Sequence, residues 1–314
     1  MRWLWLILLC TVQFGVSAEL LSDIKVLSNA AMQGRETGAA GAAMAREFIA
    51  QRYQSLALEP FAGGYQQPFL YGRGQKKDGI NMLAYRRGCR YPDHYIVVSA
   101  HYDHIGQQGR TVFHGADDNA SGVAALLELA GRLSAICPAY SYIFLATDAE
   151  EDGLYGSKAF VAQPPVPLNQ LVLNLNLDMI SRADNRGRLY LTGARRYPAL
   201  KQELATEFNK LLFLTHRGPS SYRNKRFDWV ESSDHGPFFR ADIPYLFFGG
   251  QEHPDYHTKH DIWQKIDPVF LDMAMQAIWQ TVQWVERQPP AALQPGNSRT
   301  FAIYSIVTGS CVML

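Results

Sequence analysis

Tyr95-Ile-Val-Val-Ser-Ala100 is an apolar run without alternation, and it ends in His101. A strand with one face in water alternates apolar with polar residues. A run that does not alternate is predicted to be buried on both faces, as in a parallel sheet covered by helices. Three further runs have the same form. Tyr142 to Ala146 ends in Thr147, Asp148, Ala149, Glu150 and Glu151, Leu171 to Leu177 ends in Asp178, and Ile243 to Phe248 ends in Gly249-Gly250. Ser121 to Ile136, Tyr197 to Leu212 and Pro268 to Arg287 carry apolar residues at three and four spacing and are predicted as helices. The alternation of the two kinds predicts an α/β fold with a mixed, mainly parallel central sheet sandwiched by helices, in a single domain. In such sheets ligands collect at the carboxyl ends of the strands. His101 and the carboxylates fall there.

Outward from these runs the signals weaken. Residues 19–60 read as a helical layer, with Met44 to Leu58 its clearest helix, and Phe61 to Lys77, rich in Gly and Gln, is expected to be a loop. Gln288-Pro-Pro is expected to stop the preceding helix. The predicted domain is therefore 19–290, followed by a tail, 291–314, without periodicity. The first eighteen residues look like a signal peptide: Arg2, an apolar stretch from Leu4 to Val16, and the small-x-small pattern Val16-Ser17-Ala18. The apolar stretch is short of the roughly 20 residues of a bilayer span. The expectation is export, periplasmic or secreted, with cleavage after Ala18 and no stable membrane association.

Of 314 residues, 47% are hydrophobic and 19% charged, which suits a folded domain and excludes a disordered chain. Lys plus Arg number 30 against 29 acids, and removing residues 1–18 takes away Arg2 and no acid, leaving the charges balanced. That argues against a nucleic-acid partner. Cys10 leaves with the leader, so Cys89, Cys137 and Cys311 remain. A disulfide between Cys89 and Cys137 and two unpaired thiols fit the spacing equally. The last four residues match a prenylation box, but that machinery is cytosolic and conflicts with the leader.

Five segments supply metal-type ligands: His101-Tyr-Asp103, Gly115-Ala-Asp117-Asp118-Asn-Ala-Ser-Gly122, Asp148-Ala-Glu150-Glu151, Asn176-Leu-Asp178-Met and Asp255-Tyr-His257-Thr. Each is weak alone. Together, near strand ends, they suit two divalent ions sharing a bridging carboxylate, with zinc the expected metal in a hydrolase. The patterns HExxH and G-x-S-x-G are absent, and Gly72-Arg-Gly74 lacks the third glycine of a dinucleotide loop.

In the order HxD, GADDNASG, AEExGLxGS, LDM, SDH and YHT, from about residue 80 to residue 267, the chain resembles the co-catalytic dizinc peptidases of the bacterial leucyl aminopeptidase type, relatives of glutamate carboxypeptidases and glutaminyl cyclases. The resemblance implies a zinc aminopeptidase/phosphorylase-like fold, two zinc ions per chain and a peptide substrate with a free N-terminus, hydrolysed by a metal-activated water. It implies that Asp117 bridges the metals, that Glu151 and His257 complete one position and His101 and Asp178 the other. Glu150 would be the general base, and Asp103 would hold the second ring nitrogen of His101. A cis peptide is implied at Asp117-Asp118. Two alternatives stand beside it: a single-zinc acyltransferase like glutaminyl cyclase, and a carboxypeptidase with Arg182, Arg223 or Arg226 as its cation.

His104, His114, His216, His253 and His260 are expected to be solvated or loop histidines. His235, in Ser233-Asp234-His235, is either a support for the site or a buried, hydrogen-bonded histidine. Met179, Phe238, Phe239, Phe247 and Phe248 are split between a specificity pocket and core. The tyrosine that some of these enzymes carry just before the SDH segment is missing. Tyr222 is the nearest.

Overall fold

The computed structural model describes residues 17–208, 211–215 and 229–294. Residues 1–16, His216, Tyr222, Arg223, Arg226 and the residues from 295 on, with Cys311, lie outside the described residues.

The chain opens with helices α1 (Ala18–Leu27) and α2 (Ala40–Ser55), joined through a 3-10 turn at Ala30–Arg35. Strands β1 (Gln66–Tyr71), β2 (Lys77–Arg86) and β3 (Tyr91–His101) follow, then a small ribbon of β4 (Gln107–Gln108) and β5 (Thr111–Val112). Next come α3 (Gly122–Ser134), β6 (Tyr140–Thr147), α4 (Tyr155–Ala162), β7 (Leu171–Asp178), β8 (Leu189–Thr192), α5 (Pro198–Glu207) and β9 (Leu212–Thr215). The described chain closes with α6 (His235–Arg240), β10 (Tyr245–Gly249), α7 (Pro268–Arg287) and α8 (Pro290–Leu293). Among the described residues no helix is long and apolar enough to cross a membrane.

Eight strands form one sheet in the order β1-β2-β6-β3-β7-β10-β8-β9. Its centre, β6-β3-β7-β10, is parallel throughout. These are the four runs that the absence of alternation marks. β6 is buried at every position, as a strand covered on both faces should be. Towards the margins antiparallel pairs appear, β1 on β2, β2 on β6 and β8 on β10, while the edge strand β9 runs parallel to β8.

Two expectations change. The predicted loop at 61–77 contains β1, whose half-exposed edge gives it no apolar signature. The predicted helix at 197–212 ends at Glu207, and Leu212 opens β9. α7 matches its predicted span. Pro268 sits in its first turn, where a missing N–H costs nothing, and the Asp267 side chain caps it by accepting from the Val269 and Phe270 N–H groups. Its inner face buries Phe270, Leu271, Ala274, Met275 and Ile278 in the main core.

Cys89 and Cys137 are joined as a disulfide, with Cα atoms 5.9 Å apart, tying the approach to β3 to the loop before β6. Leu293 in α8 is buried, and its carbonyl accepts from the Tyr197 hydroxyl at 2.7 Å, so the packed chain runs just past the two prolines.

Candidate metal centre

Sheet register sets the first half of the site. Ser99 of β3 pairs with Asn176 of β7, so His101 and Asp178, two residues on, come side by side at the strand ends. His101 Nε2 lies 3.3 Å from Asp178 Oδ1. Residues two apart on a strand share a face, which puts Asn174, Asn176 and Asp178 on one face of β7. A buried hydrogen-bond chain climbs that face. Asn174 donates to Ser99 (2.9 Å), Ser99 to Asn176 (2.7 Å), Asn176 to Ser233 (2.9 Å), and Ser233 to Asp178 Oδ2 (2.8 Å). One oxygen of Asp178 is thus held by Ser233 and the other faces His101.

The second half comes from loops. Glu150 and Glu151 follow β6, and the Asp103 carboxylate fixes their turn by accepting both backbone N–H groups, at 3.1 and 3.3 Å. Asp103 was expected to hold His101 through its side chain. The His101 Nδ1 instead meets the Asp103 backbone oxygen at 3.2 Å, with the carboxylate 3.8 Å away, because that carboxylate is engaged by the turn. His257 lies in the long connection from β10 to α7, which is tied to the turn at Ala116–Ser121. Asp261 accepts from the Asp117 and Asp118 N–H groups at 3.0 Å each.

The residue that joins the halves is Asp118. Its Oδ1 lies 3.2 Å from His101 Nε2 and its Oδ2 3.1 Å from His257 Nε2. Asp117, the expected bridge, points away. Its Oδ1 accepts from the Ser181 N–H (2.9 Å) and hydroxyl (2.6 Å), and its Oδ2 is 3.1 Å from His253 Nε2. The cis peptide is likewise one residue on, at Asp118-Asn119. The sequence pair Asp-Asp leaves its two members indistinguishable, and the shape of the turn decides between them. That turn needs Gly115, whose φ is +57° and where a Cβ would meet the Asp118 carbonyl oxygen at 2.2 Å. Three non-glycine residues beside the donors also have left-handed backbones: Ala149 (φ 54°), Met179 (58°) and His257 itself (53°). Such conformations cost about 1–2 kcal/mol each and persist where the surroundings impose them.

Among the described residues two groups of donors result, His104 with Asp118, Glu151 and His257, and His101 with Glu150 and Asp178. His104 was expected to be solvated. It is fully buried, with Nδ1 2.8 Å from Glu151 Oε1. His257 Nε2 is 3.1 Å from oxygens of both Asp118 and Glu151, yet it makes no aligned hydrogen bond. A nitrogen aimed between two carboxylate oxygens is the arrangement that a shared cation satisfies.

Charge argues the same way. Asp103, Asp118, Glu150, Glu151 and Asp178 crowd together largely out of water, which is costly without a positive partner. Burial pushes Glu150 well above the usual carboxylate range, and the negative Asp178 adds to this against the pull of His101. Burial would depress His101, but the Glu150 and Asp178 carboxylates win and hold it well above an ordinary imidazole. His101 and His257 beside Asp118 keep that carboxyl well below its usual range despite burial. The residues fit a pair of divalent cations.

Tyr256 is a neighbour that the sequence reading missed. Its ring stacks on His257 at 3.8 Å, and burial together with the charges of Asp118 and Glu151 pushes its phenol up. Its place immediately before a candidate ligand was the available signal. His235 is a buried histidine bonded to the Trp229 carbonyl at 2.6 Å and stacked on Phe247. Phe238 and Phe248 are fully buried in the two larger cores, while Phe247 and Phe239 join Tyr190, Trp229 and Tyr245 in an aromatic cluster.

The profile of peptidase family M28 matches residues 81–282. Aminopeptidase YwaD of Bacillus subtilis is 31% identical over 257 residues, covering 76% of this chain and 50% of that protein. The alkaline phosphatase isozyme conversion protein of Escherichia coli is 25% identical over 190 residues, 55% of this chain and 54% of that one. The chain thus spans about half the length of these curated relatives. Among solved structures, a zinc aminopeptidase from Bacillus subtilis superposes with a TM-score of 0.66 at 18% identity, covering 89% of this chain and 97% of its own. Porphyromonas gingivalis glutaminyl cyclase gives 0.67 at 18% identity, covering 87% and 99%. At that identity the likeness establishes the fold.

Proposed function

Because this chain belongs to peptidase family M28, we propose that it is an exported metallo-aminopeptidase, with two zinc ions held around Asp118. The observation that carries the reading is the reach of that one carboxylate, whose two oxygens face His101 at 3.2 Å and His257 at 3.1 Å. His101 and Asp178 would hold one ion and Glu151 and His257 the other, with Asp118 common to both. Bound there, the pair supplies Lewis acidity that polarises the scissile carbonyl and makes water a nucleophile near neutral pH.

Glu150 stands in the donor group of His101 and Asp178, where its carboxylate can take a proton from the attacking water and pass it to the leaving amine. Tyr256, whose ring stacks on His257, would donate its hydroxyl to the carbonyl oxygen as charge builds on it. A carboxylate-rich site also suits a substrate's α-ammonium. Arg182, the one described member of the three candidate cations for a carboxypeptidase, is committed to Asp255 at 2.9 Å. Two donor groups rather than one favour the peptidase over the single-zinc cyclase. The leader at 1–18 supports export, and the Cys89-Cys137 disulfide suits an oxidising compartment.

A panel of aminoacyl fluorogenic substrates, N-blocked and free, with and without a chelator, tests this. Cleavage of free substrates alone, abolished by the chelator, is expected. Equal cleavage of blocked and free substrates, or indifference to the chelator, would contradict it.

A further inference from the structure

Glu151 has two carboxylate oxygens, and the structure treats them differently. Oε2 lies 3.1 Å from His257 Nε2, on the side of the cation position, while Oε1 accepts from His104 Nδ1 at 2.8 Å. His104 itself has little freedom. Its side chain is fully buried. Its backbone N–H donates to the Arg35 carbonyl at 3.3 Å, and the buried Arg35 guanidinium grips the backbone oxygens of Tyr102, His114 and Gly115 around it. The ring packs beneath Gly115, where a Cβ would come within 2.7 Å of its Cγ and Cδ2. Nε2 has no partner. A fully buried imidazole with one nitrogen unsatisfied carries a cost, and among the described residues the hydrogen bond of this ring goes to Glu151, with Asp118 Oδ2 farther from Nδ1 at 3.8 Å.

We propose that His104 is a positioning residue for the metal centre: by donating from Nδ1 to Glu151 Oε1 it holds that carboxylate to one oxygen, Oε2, directed at the cation position shared with His257. Ser233 stands in the same relation to Asp178 on the other side, so His104 governs one position and leaves the other alone. Donors behind a ligand typically set metal affinity by about 10- to 100-fold. The inference rests on the two-cation reading above.

The test measures zinc affinity directly, by competition with a chromophoric chelator, in two backgrounds that each retain one position. In Asp178→Ala, which keeps Glu151 and His257, adding His104→Leu is expected to weaken zinc binding by about 10- to 100-fold. Adding His104→Asn, whose amide N–H can replace the Nδ1 donor, is expected to restore most of it. In Glu151→Ala, which keeps His101 and Asp178, His104→Leu is expected to change nothing. No loss in the first background, an equal loss in both, or an Asn variant no better than Leu would overturn the role of His104 while leaving the two-cation reading intact, provided the parent chain binds two zinc ions. A parent chain that binds none would overturn both.

Discussion

His101 and Asp178 stand at the ends of two neighbouring parallel strands, where the pairing of Ser99 with Asn176 brings them together, whereas Glu151 and His257 hang from connections after β6 and β10 that have no such register. The strand-borne half is set once the sheet forms. The loop-borne half needs separate ties: Asp103 on the Glu150-Glu151 turn, His104 on Glu151, and Asp261 on the backbone of Asp117 and Asp118. Backbone ladders place donors cheaply, while loops require buried polar contacts to reach comparable definition. The two halves should therefore fail in different ways.

The largest effect falls on the residue common to both. Asp118→Ala is expected to abolish turnover, with a loss at least as great as that for Glu150, whereas Asp117→Ala acts only through the support of its turn. Steady-state rates for the two variants measure the contrast. Glu150→Gln comes next. It keeps the charge-neutral shape and lacks the base, so kcat should drop about 10²- to 10⁴-fold with zinc content unchanged, which metal analysis of the same sample checks. Glu151→Ala should lose zinc as well.

Asp261→Ala acts on the loop-borne half. It releases the backbone under Asp118, common to both positions, and also the loop bearing His257, so zinc is expected to weaken by about 10- to 100-fold at the loop-borne position and by less at the strand-borne one. Zinc titrations of this variant in the Asp178→Ala and Glu151→Ala backgrounds would show it. Equal losses at both positions would mean that strand register does not protect its half.

The smallest effect is on stability. Burial pushes His235 down from 6.5 to about 4. A depressed imidazole leaves the native state neutral while the unfolded chain takes up a proton below pH 6.5. Its contribution is therefore fully present above that pH and is lost as pH falls toward 4, by about 3 kcal/mol. Between pH 7 and 4.5 the wild type should lose about 2–3 kcal/mol more unfolding free energy than His235→Gln. Parallel losses in denaturant titrations would contradict the assignment.

What was legible in the sequence follows the same division. The four central strands announce themselves because burial on both faces removes alternation, and α7 because apolar residues recur at three and four spacing over its whole length. β1 was missed because an edge strand half in water carries polar residues like a loop, and β9 because four residues after a helix give too short a pattern. In the site, His101 and Asp178 could be read as strand ends. Which aspartate of Asp117-Asp118 faces inward could not, since a turn with a left-handed Gly115 fixes it in space. His104 looked like any loop histidine, because its burial comes from Arg35 and Gly115, far apart in the chain.

Zinc content per chain, measured by elemental analysis on the purified protein and on Asp117→Asn and Asp118→Asn, bears most directly on the claim that one carboxylate joins two cation positions. Two zinc ions are expected for the wild type and for Asp117→Asn, and one or none for Asp118→Asn. A wild type that saturates at one, or an Asp118→Asn protein that still binds two while Asp117→Asn does not, would contradict it.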